Sequence, residues 1–163
     1  HNISVLLIVH LQFREIDSEA QCAQLYTQFG DTIRQFLLRS VLPALRNSLG
    51  ELRDDLCVVR DHVGPLFLDE LLEGQRKHSD TIRWIRCIFM YCDRYYSLSQ
   101  KKPSLDKVGE ELFSRLILSE IKEGVVEVVG DMINKERDGR EINQQLIKQC
   151  VNLYETASGM FPD

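Results

Sequence analysis

From residue 19 onward the apolar positions recur at spacings of three and four, the period of an α-helix with one buried face. Ser18-Glu19-Ala20-Gln21 reads as a capping box that opens a helix reaching about Leu49. Leu25, Phe29, Ile33, Phe36 and Leu37 form its stripe, with Gly30 as a weak point inside it. Pro43 predicts a kink or an end near Val41, and Gly50 a stop. Residues 51–65 are less regular, and Asp61-His62-Val63-Gly64-Pro65 reads as a turn or helix end. A short helix is expected over Leu66–Leu72.

The clearest element opens at Asp80. Ile82, Ile85, Ile88 or Phe89, Cys92 and Tyr95 or Tyr96 share one face, Arg83, Arg86 and Asp93 lie opposite, and Lys101-Lys102-Pro103 ends it. Ser104 is a good N-cap for the next helix, striped by Leu105, Val108, Leu112 and Leu116. Ile121, Val125, Val128 and Met132 continue the pattern, with Gly124 and Gly130 each costing about 1 kcal/mol relative to alanine. The charged run Lys135–Arg140 holds Gly139 at a turn. Asn143 then caps a last helix through about Glu155, buried at Leu146, Cys150 and Leu153. No strand pair or hairpin signal is visible. The expectation is an all-α chain of six to eight helices packed as a bundle.

Composition removes several classes without changing that picture. The chain has 163 residues, 44% hydrophobic and 28% charged, an ordinary globular balance. Its net charge of -5 argues against a dedicated nucleic-acid binder. No apolar run approaches the roughly 20 residues of a membrane span. Ile3–Val9 is a short apolar run without a basic flank or cleavage site, so it is not read as a signal peptide. The absence of an initiator Met predicts a piece of a longer protein. Cys22, Cys57, Cys87, Cys92 and Cys150 are odd in number and form no C-x-x-C. They are read as buried thiols of a reduced, intracellular protein. His1, His10, His62 and His78 have no zinc-like spacing, so no metal and no cofactor are expected. Phosphate-loop, dinucleotide, nucleophile-elbow and metalloprotease motifs are missing. Glu110-Glu111 and Asp54-Asp55 diverge by about 100° on a helix and share no site. Cys22 and Cys57 have no orienting histidine, and no catalytic residue is assigned.

One stretch stands apart. Residues 83–96, RWIRCIFMYCDRYY, hold Trp84, Tyr91, Tyr95 and Tyr96, leaving only Tyr26 and Tyr154 of these residue types elsewhere. On a helix, Ile82, Ile85, Phe89, Cys92 and Tyr96 face one way, and Trp84, Cys87 or Ile88, Tyr91 and Tyr95 form a neighbouring stripe. Three readings are open. Both stripes are core, or the second is a protein interface of the Trp-Tyr-Arg type. The third is a helical nucleic-acid-binding module in which the tyrosines stack on bases beside Arg83, Arg86 and Arg94.

Four segments in order resemble the N-terminal region of cullins, the scaffolds of multi-subunit ubiquitin ligases. They are Gln24-Leu25-Tyr26 with Val41–Leu45, Ile88–Tyr96 (IFMYCDRYY), Leu105–Leu116 (LDKVGEELFSRL), and Ile133–Asn143 (INKERDGREIN) followed by Leu146-Ile147. The resemblance spans residues 19–157 except 46–75, which match poorly. It implies an all-α bundle of cullin-repeat type, in which stacked repeats of about five helices form a solenoid. Residues 1–118 would be the first repeat, incomplete at its N-terminus, and 119–163 the start of a second. An apolar patch is then expected at the C-terminal end.

The resemblance also implies a non-catalytic, cytoplasmic and nuclear scaffold that grips a substrate-receptor adaptor through the second and fifth helices of the first repeat. Tyr91 falls at the aromatic adaptor-contact position of the fifth. Trp84, Cys87, Ile88, Arg94 and Tyr95 lie on or beside that face. The second helix would lie within about residues 2–14, with Val9, His10 and Phe13 as contacts, although its usual Tyr-rich motif is not visible in ISVLLIVHLQF. Val41–Leu45, the Asp93–Tyr96 helix and the loop at 135–143 look most like cullins using the F-box-carrying adaptor of the BTB fold. Neither a membrane nor nucleic acid is expected as a partner. The parts that recruit the RING protein and accept the ubiquitin-like modifier lie far C-terminal in that family.

Overall fold

Apolar stripes of this kind can only be buried helix against helix, and the computed structural model, which describes residues 19–53, 57–90 and 92–160, is built that way. Its helices are α1 (Glu19–Phe36), α2 (Leu42–Arg53), α3 (Cys57–Ile88), α4 (Leu105–Phe113), α5 (Ser119–Arg137) and α6 (Gln144–Met160). π-helical turns at Leu37–Val41, Cys92–Tyr96 and Ser114–Leu118 and a short α-turn at Ser97–Ser99 complete the described backbone, which contains no strand. The fold is all-α, as the periodicity predicts.

α3 is the axis. It packs against α2 on one side and α4 on another, with α5 and α6 also on its flanks, and α1 lies across α4. The innermost side chains are Ile33, Leu37, Leu45, Phe67, Leu68, Leu71, Ile117, Ile121, His78 and Cys150. The expected stripes are therefore the observed core: Leu25, Phe29, Ile33 and Leu37 from the first, and Ile121, Val125, Val128 and Met132 from α5. The caps also form. Ser104 Oγ accepts from Lys107 N at 3.5 Å, and Asn143 Oδ1 accepts from Leu146 N at 3.2 Å. Ser18 of the predicted capping box lies outside the described residues.

The largest departure concerns residues 57–80. The turn expected at Asp61–Pro65 and the separate helices expected at Leu66 and Asp80 are one helix of 32 residues with Pro65 inside it. A proline costs a helix interior about 3 kcal/mol. Phe67, Leu68 and Leu71 follow it fully buried, and each contributes about 1.5–3 kcal/mol, so burial outweighs the defect. Gly50 is not a stop either, since α2 runs to Arg53, and the last helix, expected to end at about Glu155, reaches Met160. The predicted kink at Pro43 is seen as the π-turn Leu37–Val41, after which α2 starts with the proline in its first turn. Cys87 is exposed, against the expectation of buried thiols, while Cys22 and Cys150 are buried; none of the three is in a disulfide.

Where α4 crosses α3 the backbones meet closely. A Cβ on Gly109 would lie 2.0 Å from Ile82 Cδ1, so only glycine fits as packed. Gly124 plays the same part for α5 against α2, where a Cβ would lie 2.2 Å from Leu49 Cδ2. Its intrinsic helix cost is thus offset by close packing.

Candidate functional site

The end of α3 and the turn after it carry the aromatic-basic stretch. Ile82, Phe89 and Tyr96 are buried, and Ile85 and Ile88 pack half-buried against the same core. Helical hydrogen bonds continue past Ile88: Phe89 N donates to Ile85 O at 2.9 Å and Asp93 N to Phe89 O at 3.0 Å. The backbone is therefore helical on both sides of residue 91, and the opposite face is open. Trp84 is 67% exposed, Met90 49% and Leu98 78%, with Cys87, Arg83 and Arg94 also exposed. At about 100° per residue, positions 83, 84, 87 and 90 point within one arc, and the π-turn at 92–96 brings 94 and 98 back onto it. Trp84 and Cys87, the exposed described members of the predicted second stripe, are not core.

Of the predicted contact residues, Trp84, Cys87 and Arg94 lie together on this face and Ile88 at its edge. Tyr91, Val9, His10 and Phe13 lie outside the described residues, as does the side chain of Tyr95. Met90 and Leu98 belong to the face and were missed. The signal for them was the same spacing, with Met90 three residues beyond Cys87 and Leu98 four beyond Arg94.

Two clamps fix this end. Asp93, expected on the solvent side, is buried: its Oδ2 accepts from Arg86 Nε at 2.9 Å and its Oδ1 from Leu105 N at 2.7 Å. Arg86 also pairs with Asp106 in the first turn of α4. The Asp93 bond holds the Arg86 guanidinium above its ordinary pKa. In the second clamp Lys102 Nζ donates to the Tyr96 hydroxyl at 2.9 Å and stands 5.2 and 5.0 Å from the Tyr26 and Tyr96 ring centres. Tyr26 donates to Pro103 O at 2.7 Å, and Gln100 bonds Glu19. Burial, then the nearby Asp93 charge, pushes the Tyr26 hydroxyl up, so it stays a donor. The helix end is thus tied to both α4 and α1.

A second apolar surface lies between α5 and α6, an open groove lined by Val126, Val129, Ile133, Val151 and Tyr154. This is the patch expected at the C-terminal end. Among the described residues no group of three His, Cys, Asp or Glu side chains could hold a metal ion, and no helix is long and apolar enough to cross a membrane.

Comparison with known proteins bears on this architecture. The family profile described as the cullin alpha solenoid domain matches residues 8–160. Cullin-1 of rice is 29% identical over 131 residues, which cover 80% of this chain and 16% of that protein. Putative cullin-like protein 2 of Arabidopsis thaliana is 32% identical over 133 residues, covering 80% of this chain and 32% of that one. Cullin-3 of fission yeast, Schizosaccharomyces pombe, is 27% identical over 150 residues, 82% of this chain and 19% of its own length. The chain thus spans between about a sixth and a third of the length of these relatives. With a family profile matching nearly end to end on an all-helical fold, this chain belongs to the cullin family.

Proposed function

We propose that this chain serves as the adaptor-docking part of the scaffold subunit of a cullin-RING ubiquitin ligase, working in the cytoplasm and nucleus and holding partners rather than catalysing a step. Residues 1–118 would form the first repeat and 119–163 open the second. The occupant of the docking face would be an adaptor of the BTB fold, most closely the F-box-carrying type. RING recruitment would belong to regions outside this chain.

The observation that supports this best is the exposed face of Trp84, Met90 and Leu98 on a helix end held by the Arg86–Asp93–Asp106 and Lys102–Tyr26–Tyr96 clamps. Large apolar side chains left in water on a rigid helix are what an interface centre looks like before its partner arrives. Rigidity matters because side chains already ordered lose less freedom on binding. Arg94 stands at the rim, and Tyr91 is proposed as the central aromatic, with Tyr95 beside it and Val9, His10 and Phe13 from the upstream segment.

Calorimetric titration with the F-box-type adaptor tests it. Trp84→Ala and Tyr91→Ala are each expected to weaken binding by about 2 kcal/mol, roughly thirtyfold, with helical content unchanged. A folded chain that fails to bind removes that adaptor class. Variants that bind as tightly as the parent remove the face.

A further inference from the structure

The docking face has a charge pattern opposite to that of the chain. The protein carries a net charge of -5, yet Arg83 and Arg94 flank the apolar centre and Lys101 follows the helix end, all three exposed. Among the described residues none of the three has an ion-pair or side-chain hydrogen-bond partner, whereas the neighbouring acids are engaged. Asp93 and Asp106 bind Arg86, Asp80 pairs with Arg76, and Glu19 accepts from Gln100. Arg86 and Lys102, the other cations nearby, are used in the clamps. Three cations therefore remain for a partner.

We propose that the partner is a folded protein whose surface presents an acidic rim around an apolar pocket, with Arg83, Arg94 and Lys101 steering it onto Trp84, Met90 and Leu98. This rests on the docking reading above and adds the charge of the partner to it. Arg83 and Arg94 stand eleven residues apart in the chain, with the exposed Trp84 and Met90 between them. That is a ring about an apolar centre, not a continuous basic track. A polyphosphate would meet a hydrophobic gap at that centre and net repulsion from the rest of the chain. Free cations at the rim of an interface act mainly on the rate of encounter, while the buried centre governs how long the complex lasts. The two contributions are therefore separable in kinetics.

The experiment measures association and dissociation of this chain with the F-box-type adaptor at 50, 150 and 500 mM NaCl. Arg83→Glu/Arg94→Glu is compared with Trp84→Ala, and circular dichroism confirms that each exposed-site variant is folded. The double reversal is expected to slow association roughly tenfold at 50 mM and to approach the parent at 500 mM, with dissociation within about twofold. Trp84→Ala is expected to speed dissociation roughly tenfold or more at every salt concentration. If Trp84→Ala weakens the complex while the double reversal associates like the parent at 50 mM, the docking face stands and the acidic partner rim falls. If the parent forms no complex at any salt, the docking reading fails and this inference with it. A single-stranded 20-mer DNA titrated in parallel is expected not to bind at 150 mM NaCl. Binding that the double reversal abolishes would overturn the proposal in favour of nucleic acid.

Discussion

His78 makes the interior sensitive to acid, and the size of the effect can be worked out. Its ring is 2% exposed, stacked on Phe113 with centres 5.0 Å apart, and Nε2 donates to Gly109 O at 2.9 Å. That carbonyl fixes the tautomer, leaving Nδ1 an acceptor that is buried and has no partner among the described residues. A second proton would add a buried N–H with nothing to receive it, next to an aromatic ring. Burial accordingly pushes the imidazole below its ordinary pKa, against the opposing effect of the Gly109 bond. Glu110 is the ionisable group lining the small cavity beside it, and burial raises that carboxyl, which weakens any help it could give an imidazolium. The folded pKa is depressed, so the unfolded chain takes up the proton first, and stability falls as pH drops below about 6.5. Between pH 7.5 and 5.5 one histidine can remove at most about 1.4 kcal/mol, a ceiling set by proton uptake of the unfolded imidazole. Urea unfolding of the parent and His78→Gln at both pH values isolates this, because His1, His10, His62 and the carboxylates are common to both. The parent should lose up to about 1.4 kcal/mol more than the variant. Equal losses would refute the argument that His78 folds neutral.

Three other perturbations follow from the packing. Gly124→Ala should destabilise by about 1 kcal/mol net, since overpacking against Leu49 exceeds the gain in helix propensity, while Gly130→Ala, with open space at its Cβ, should stabilise by about 0.5–1 kcal/mol; thermal melts showing the same sign for both would contradict the close approach of α5 to α2. Asp93→Ala should cost about 2 kcal/mol, because it leaves the Leu105 N–H without its acceptor, and Asp93→Asn clearly less, since an amide oxygen can still accept; urea midpoints compare them. Among Cys22, Cys87 and Cys150, thiol labelling at pH 8 followed by peptide mass analysis should find Cys87 modified first and Cys150 last, its thiol pushed up to about 11 by burial and then by Asp69; prompt labelling of Cys150 would show that α6 does not hold it against α3.

The sequence made the helices legible where one stripe met one partner. Ile121, Val125, Val128 and Met132 show this in α5, and Ser104 and Asn143 mark the starts of α4 and α6 through hydrogen bonds their own side chains make. It misled at Gly64-Pro65, because local breaker chemistry was weighed without the burial that follows it. Phe67, Leu68 and Leu71 are inside only because α2 and other helices surround α3, which no local window contains. The site divided along the same line. The exposed stripe of Trp84, Cys87 and Arg94 was visible as spacing, since the face of a helix is a local property. Asp93 was not, because its burial depends on Arg86 seven residues earlier and on Leu105 twelve residues later, brought together by the turn between them.

The burial of Asp93 bears on how the proposed docking face would work. A carboxylate on a solvated face would leave the helix end free to fray beyond Phe89. A buried one, in the turn between them, bonded to the Arg86 guanidinium of α3 and to the Leu105 N–H at the start of α4, ties the two helices together. The carboxylate is buried while the guanidinium is half exposed, so the larger cost of losing Asp93 is the unmet Leu105 N–H rather than the ion pair. The Lys102 clamp makes a second tie, to α1, with an ammonium shared between two tyrosine rings and a hydroxyl. Trp84, Met90 and Leu98 therefore stand in water on a support that the rest of the fold holds still. Ordering them for a partner would therefore cost less than ordering a flexible loop.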